Sequence, residues 1–163
     1  MKRIILIACL FCATLVSAQA YEGRGDQKVQ IGASFQDGAT GIIGTYDYGL
    51  GDNFSIGLGA AYALGTDDLI DPDFDERAML ALRFNAPIGN VLNIDPMFDL
   101  YPGLAFTTKH FGGHVGARYF FTDGFGLYTE AAFPFAKYKT EDLTPEESLY
   151  NQFNISIGTS FNF

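Results

Sequence analysis

The chain has 163 residues, 48% hydrophobic and 15% aromatic, with 19 acidic residues against 10 basic ones and a formal net charge of −9. That length suits one domain, and an acidic chain with no Lys/Arg cluster excludes a nucleic-acid surface.

The first residues read as a leader. "MKR" is a charged start, "IILIACLFCATLV" is an apolar run too short to cross a bilayer as a helix, and Ala18-Gln19-Ala20 is a small-x-small cleavage site. A signal peptide over 1–20 is expected, then a lead over 21–27 on the periplasmic side and one folded unit over 28–163. Both cysteines, Cys9 and Cys12, lie inside the leader. The exported chain then carries no disulfide, zinc–thiolate site or cysteine nucleophile. Too few residues precede Cys9 for a lipidation signal. "RGD" at Arg24–Asp26 falls before the first strand, on the side no receptor reaches, and reads as chance.

From Val29 onward the pattern alternates with period two, which is the strand signal. Val29, Ile31, Ala33 and Phe35 alternate with Gln30, Gly32, Ser34 and Gln36. After "DGAT", Ile42, Gly44, Tyr46 and Tyr48 alternate with Ile43, Thr45 and Asp47. After "GDN", Phe54, Ile56, Leu58, Ala60 and Tyr62 form one parity; past the acidic stretch "GTDDLIDPDFDE", Ala78, Leu80, Leu82 and Phe84 do the same. After "PIGNV" the run Ile94, Phe98, Leu100, Leu104 and Phe106 follows, with Pro96 and Pro102 inside it. Proline cannot donate to a ladder, so a kink, a bulge or a shorter strand is expected there. "TTK" leads to Phe111, Val115, Ala117, Tyr119 and Phe121, and "TDG" to Phe125, Leu127, Ala131 and Phe133. A second acidic stretch, "KTEDLTPEES", precedes "FNISIGTSFNF", where Phe153, Ile155, Ile157, Phe161 and Phe163 share one face.

These are eight strands joined by turn chemistry. One parity is nearly pure Phe, Tyr, Ile, Leu, Val and Ala. The other mixes Gly, Ser, Asn and Gln with Asp47, Arg83, Asp99, Arg118 and Glu130. Strands of ~10 residues suit a tilted crossing of a bilayer, with the apolar parity turned toward lipid. The expected fold is all-β: an eight-stranded, antiparallel, up-and-down transmembrane β-barrel. The connections after strands two, four and six read short, and the two longest, 65–77 and 137–150, fall in the opposite set. That is the outer-membrane asymmetry. Aromatics gather at both ends of the strands as two girdles built without Trp.

In these features the chain resembles the small Gram-negative outer-membrane β-barrels of the OmpA/OmpX type. The closing segment is similar to that group's C-terminal signal, polar–x–Gly–x–x–aromatic–x–aromatic, carried by Ser156, Gly158, Phe161 and Phe163. The resemblance implies that the barrel-assembly machinery reads this segment. "GARYFFTDGFGLYTEAAF" and "YDYGLGDNFSIGLGAAY" resemble hairpins of the same group. The resemblance covers essentially the whole chain after the leader. It speaks for architecture more than for activity, since the group includes structural, adhesive, pore-like and enzymatic members.

A lone charge inside a barrel is costly and a paired one tolerable. Arg118 is expected to pair with Glu130 across the "TDG" turn, and Arg83 with Asp99 across the "PIGNV" turn, plugging the lumen. His110 and His114 share a parity, but nothing places a third metal ligand or a serine beside them, so no metal, cofactor or catalytic residue is expected. Asp71, Asp73 and Asp75 resemble a calcium loop, yet its sixth position is Glu76 and its twelfth Leu82, so the motif fails. "TPEE" at Thr144–Glu147 has the form of a helix start.

The expected role is non-enzymatic: a structural or surface-interaction barrel of the cell envelope. The alternatives are a narrow pore or small-ligand transport barrel, an outer-membrane lipid-modifying enzyme, and a soluble lipocalin-like carrier with the apolar parity inside. The expected partners are outer-membrane lipid, lipopolysaccharide and the barrel-assembly machinery, with the barrel itself a monomer.

Overall fold

The computed structural model describes residues 19–67, 72–139, 144–146 and 148–163. The leader reading over 1–18, Asp71 of the calcium-like stretch and Glu147 of the helix-start motif lie outside the described residues.

Eight antiparallel strands form one closed ring in chain order: β1 (Gln27–Gln36), β2 (Ala39–Gly51), β3 (Phe54–Thr66), β4 (Ala78–Asn85), β5 (Phe98–Thr107), β6 (His110–Thr122), β7 (Phe125–Lys137) and β8 (Asn154–Asn162). β8 closes on β1 with Gly158 opposite Gly32 and Phe161 opposite Val29. The rhythm of the last strand therefore continues to the chain end because every residue there has a partner. Phe163 itself donates its N–H to the Gln27 carbonyl at 3.1 Å.

The two parities face as the alternation predicts. Ile31, Ile42, Leu58, Leu80, Leu127 and Ile157 stand exposed on the outer wall, while Gln30, Ser34, Arg83, Asp99, Arg118, Glu130 and Ser156 are buried inside. Water would penalise so large an apolar exterior, whereas lipid favours it. This excludes the lipocalin-like arrangement with the apolar parity inside. Rings join laterally around each rim. At one end Phe121 meets Tyr119 at 5.4 Å and Phe125 at 6.5 Å, and Phe125 meets Phe161 at 5.7 Å. At the other, Phe106, Phe111, Phe135 and Phe133 form a chain of contacts at 4.7, 5.8 and 5.3 Å.

One local expectation changes. The connection after β4 is not a short turn: residues 86–97 form an extended stretch and a helical turn, α2 (Gly89–Leu92), so Ile94 lies outside the strand. A second short helix, α1 (Phe74–Arg77), precedes β4. The proline expectation holds in its third form: β5 is shorter, beginning at Phe98 and leaving Pro96 outside, while Pro102 causes no bulge and the β5–β6 register runs unbroken from Phe98 to Phe106. The Ala86 N–H donates to the Pro102 carbonyl at 2.8 Å. The bond proline cannot return falls where β4 has already ended, so little ladder is lost.

Glycine on the inner face makes room for the residue across the ladder. A β-carbon on Gly116 would run into the Tyr101 ring, one on Gly103 into the His114 ring, and one on Gly57 into the Asp47 carboxylate. Each is the direct cross-strand partner of the side chain it accommodates. Gly116→Val is expected to lower the unfolding free energy by about 1–3 kcal/mol through overpacking, read as an earlier urea midpoint for loss of heat-modifiable gel mobility. Val115→Leu, on the lipid face beside it, is expected to leave the midpoint unchanged.

Candidate functional site

The lumen holds stacked layers of charge. Nearest the N-terminal lead, Lys28 pairs with Asp26, donates to the Asn162 Oδ1 at 3.0 Å and lies over the Tyr21 and Phe120 rings at 5.6 and 5.4 Å. In the next layer Arg118 donates to the Asp99 Oδ2 from Nε at 3.0 Å and from Nη2 at 2.7 Å, with its guanidinium 4.6 Å from the centre of the Tyr101 ring. Above it Arg83 grips Glu130 through two parallel bonds, Nη1–Oε1 at 2.8 Å and Nη2–Oε2 at 2.6 Å. That fork is the strongest geometry available to an ion pair. Asp47 sits between the layers, 3.7 Å from the Arg83 Nε and 4.0 Å from the Arg118 Nη1. Gln30 joins the network through the Tyr101 hydroxyl and accepts from the Thr45 Oγ1 at 3.1 Å.

All four residues expected in the lumen are there, but the partners differ from the sequence expectation. Arg118 and Asp99 are direct cross-strand neighbours on β5 and β6, so they pair with each other. Glu130 faces Gly116 on one side and Ser156 on the other. Arg83 faces Gly57 and Ala105. With only small residues beside them, these two side chains extend across the lumen and meet. Arg83 does not reach Asp99, because the long 86–97 segment sets Ala105 opposite Arg83 and leaves Asp99 toward the other end of β5.

The sequence reading missed Asp26, Lys28 and Tyr101 as members of the network. Lys28 shares the inward parity of Gln30, which was the available signal. It also missed both closures of the lumen. Ala20 and Tyr21 are buried at the lead end, the Ala20 N–H donating to the Pro96 carbonyl at 2.7 Å. The Tyr21 hydroxyl lies 2.8 Å from the Gly51 and Phe54 carbonyls. Burial, with the Asp26 carboxylate nearby, pushes its phenol up to about 12, so it stays a neutral donor. At the other end Leu149 and Tyr150 fold inward onto Ala39, Ala61 and Ala63. The Tyr150 hydroxyl donates to the Arg77 carbonyl at 2.8 Å, tying the β7–β8 loop to the base of β4.

The remaining candidates take structural positions. Asp26 of "RGD" is buried against Lys28. The Asp73 N–H donates to the Glu76 Oε2 at 3.0 Å at the start of α1. In "TPEE" the Thr144 carbonyl accepts from the Ser148 N–H at 3.1 Å. The His114 Nε2 meets the Asn85 Oδ1 at 2.7 Å rather than a serine hydroxyl. Among the described residues no three His, Cys, Asp or Glu side chains converge as metal ligands. In the closing segment Ser156 is buried in the lumen and Phe163 is exposed on the outside. Gly158 packs against the backbone of Ile31 and Gly32.

An apolar outer wall around a polar, charge-paired lumen defines a small eight-stranded transmembrane β-barrel, the architecture of the OmpA/OmpX type. Residues 11–163 match a family of unknown function (DUF6646), and the chain belongs to that family. No functionally curated protein matches it. Its fold is similar to that of a de novo designed transmembrane β-barrel (TM-score 0.59, 14% identity, covering 87% of this chain and 98% of the other). It is also similar to the N-terminal β-barrel domain of Pseudomonas aeruginosa OprF (0.56, 17%, 87% and 100%). The outer membrane protein OprG of the same organism is similar as well (0.51, 13%, 91% and 99%).

Removing one partner of a buried ion pair leaves a naked charge, at a cost of about 3–5 kcal/mol. Glu130→Gln is therefore expected to destabilise the barrel by that order in urea unfolding. The double variant Arg83→Met/Glu130→Gln is expected to recover part of the loss, giving a clear interaction energy in a double-mutant cycle.

Proposed function

We propose that this protein is a non-enzymatic barrel of the outer membrane, with a closed lumen and a structural or surface-interaction role carried by its outer loops. The observation that carries the reading is the sealed stack of charges, Lys28–Asp26, Arg118–Asp99 and Arg83–Glu130, held between the Tyr21 lead and the Leu149–Tyr150 plug. A side-chain-filled interior supports a scaffold rather than a channel. The long β3–β4 and β7–β8 connections, rich in acidic residues, face the exterior in this reading and meet lipopolysaccharide or another surface partner. The C-terminal Ser156, Gly158, Phe161 and Phe163 serve as the address for the barrel-assembly machinery. Heat-modifiable mobility together with recovery in the outer-membrane fraction is the expected result, and planar bilayers containing the refolded protein are expected to show no stepwise conductance. Steady channel openings would sink the closed-lumen reading.

Export also bears on the N-terminus. A cut after Ala20 would remove a residue that is buried against Phe120 and hydrogen-bonded to Pro96. Val16-Ser17-Ala18 offers an earlier site of the same kind. In this reading the exported chain begins at Gln19 and keeps Ala20. Its intact mass is expected to include Gln19 and Ala20, less one ammonia where the N-terminal glutamine cyclises. A mass beginning at Tyr21 would reject this placement.

A further inference from the structure

The connections at the lead end of the barrel differ in chemistry. Those after β2 and β6 are tight and polar, built on Asp52-Asn53 and Asp123-Gly124. The connection after β4, residues 86–97, is long and apolar. It carries Ile88, Val91, Leu92, Ile94 and Met97 and a single charged residue, Asp95.

Its polar groups are taken up by the barrel or by the segment itself. The Gly89 N–H donates to the Asp99 Oδ1 at 3.1 Å, and the Asn90 Nδ2 donates to the Tyr21 carbonyl at 3.1 Å. The Asp95 Oδ1 accepts from the Met97 N–H at 2.8 Å, and the Asp95 carbonyl accepts from the Phe98 N–H at 3.0 Å. Asn93, at φ +50°, ends α2 in the left-handed region, which asparagine tolerates better than most side chains. The aliphatic side chains are left outside. Val91 is 59% exposed and Ile94 64%, as open as Leu58 at 62% and Ile157 at 55% on the lipid-facing wall, and Leu92 is exposed beside them.

The segment is continuous with that wall. The Ala86 and Ile88 N–H groups donate to the Pro102 and Leu100 carbonyls, each at 2.8 Å. The outward parity of Leu80, Leu82 and Phe84 therefore runs on through Ala86 and Ile88. On the other flank the Tyr119 hydroxyl donates to the Met97 sulfur at 3.8 Å, and Tyr119 belongs to the aromatic rim at this end. An exposed aliphatic cluster is costly in water. A segment with its polar atoms satisfied and its apolar side chains on the outside suits the boundary between lipid headgroups and acyl chains.

We propose that Val91, Leu92 and Ile94 form a lipid anchor, inserted among the phospholipid acyl chains of the leaflet that borders the lead end. In the outer-membrane reading, on which this inference rests, that is the periplasmic leaflet. The barrel then holds lipid beyond the last ladder pair on its β4–β5 side, where its other two connections at this end present aspartate to water.

The chain contains no tryptophan, so one introduced residue is a unique fluorescent reporter. The full exported chain is refolded into phosphatidylcholine vesicles as Leu92→Trp. Leu127→Trp on the wall and Asp123→Trp in a polar turn serve as references, each checked for heat-modifiable mobility. Phospholipid brominated on its acyl chains near the headgroup quenches from within the leaflet, and acrylamide quenches from water. Leu92→Trp is expected to show at least about half the bromolipid quenching of Leu127→Trp and about threefold less acrylamide quenching than Asp123→Trp. Acrylamide quenching equal to that of Asp123→Trp, with no bromolipid effect, would overturn the proposal and leave the patch open to a soluble partner. Protection from both quenchers, as beneath a second copy of the chain, would overturn it too. Where Leu92→Trp does not fold, Ile94→Trp in the same exposed cluster carries the same two readings. No lipid quenching of Leu127→Trp would instead overturn the membrane-barrel reading itself, and this inference with it.

Discussion

The whole molecule depends on keeping charge inside a ring whose outside is oil. Arg83, Arg118, Lys28, Asp26, Asp47, Asp99 and Glu130 are all nearly inaccessible. Each would be expensive to desolvate alone, and a membrane wall offers no route for snorkelling sideways to water. The two-bond grip of Arg83 on Glu130 answers this most directly because it crosses the lumen, tying β4 to β7 where no backbone ladder does. The Arg118–Asp99 pair secures neighbouring strands that are already bonded. One bond spans the barrel, and the other reinforces its wall.

Steric alternation lets these pairs form. Where a long side chain enters the lumen, the residue opposite it on the next strand is often glycine or another small residue, as Gly116 is to Tyr101 and Glu130, and Gly57 to Asp47 and Arg83. An eight-stranded ring has little interior to share. Placing large against small lets each bulky group lean across the axis instead of colliding with its neighbour.

Segments outside the strands pack inward at both ends of the lumen. The lead contributes Tyr21, and the β7–β8 loop contributes Leu149 and Tyr150. Packing a barrel's end with its own connections costs less order than recruiting a separate domain, since the ends of those segments are already fixed by β1, β7 and β8.

Much of this was legible in the chain. The period-two alternation, the Gly- and Asp-bearing turns, the aromatic strand ends and the rhythm through Phe163 require only local chemistry, so strand number, facing and closure followed from them. The four lumen charges were also legible, because parity places a residue inside or outside. Their partners were not. Pairing depends on stagger around the ring, and one unexpectedly long connection, residues 86–97, shifts β5 enough to exchange them. The plug was hidden for a similar reason, since Leu149 and Tyr150 sit in an acidic loop with no periodicity to mark them as buried. The sequence by itself determined a membrane barrel with a polar interior, because alternation is a property of neighbouring residues. Only the tertiary structure decided which charges meet and where space remains, because those are properties of residues brought together from opposite sides of the ring.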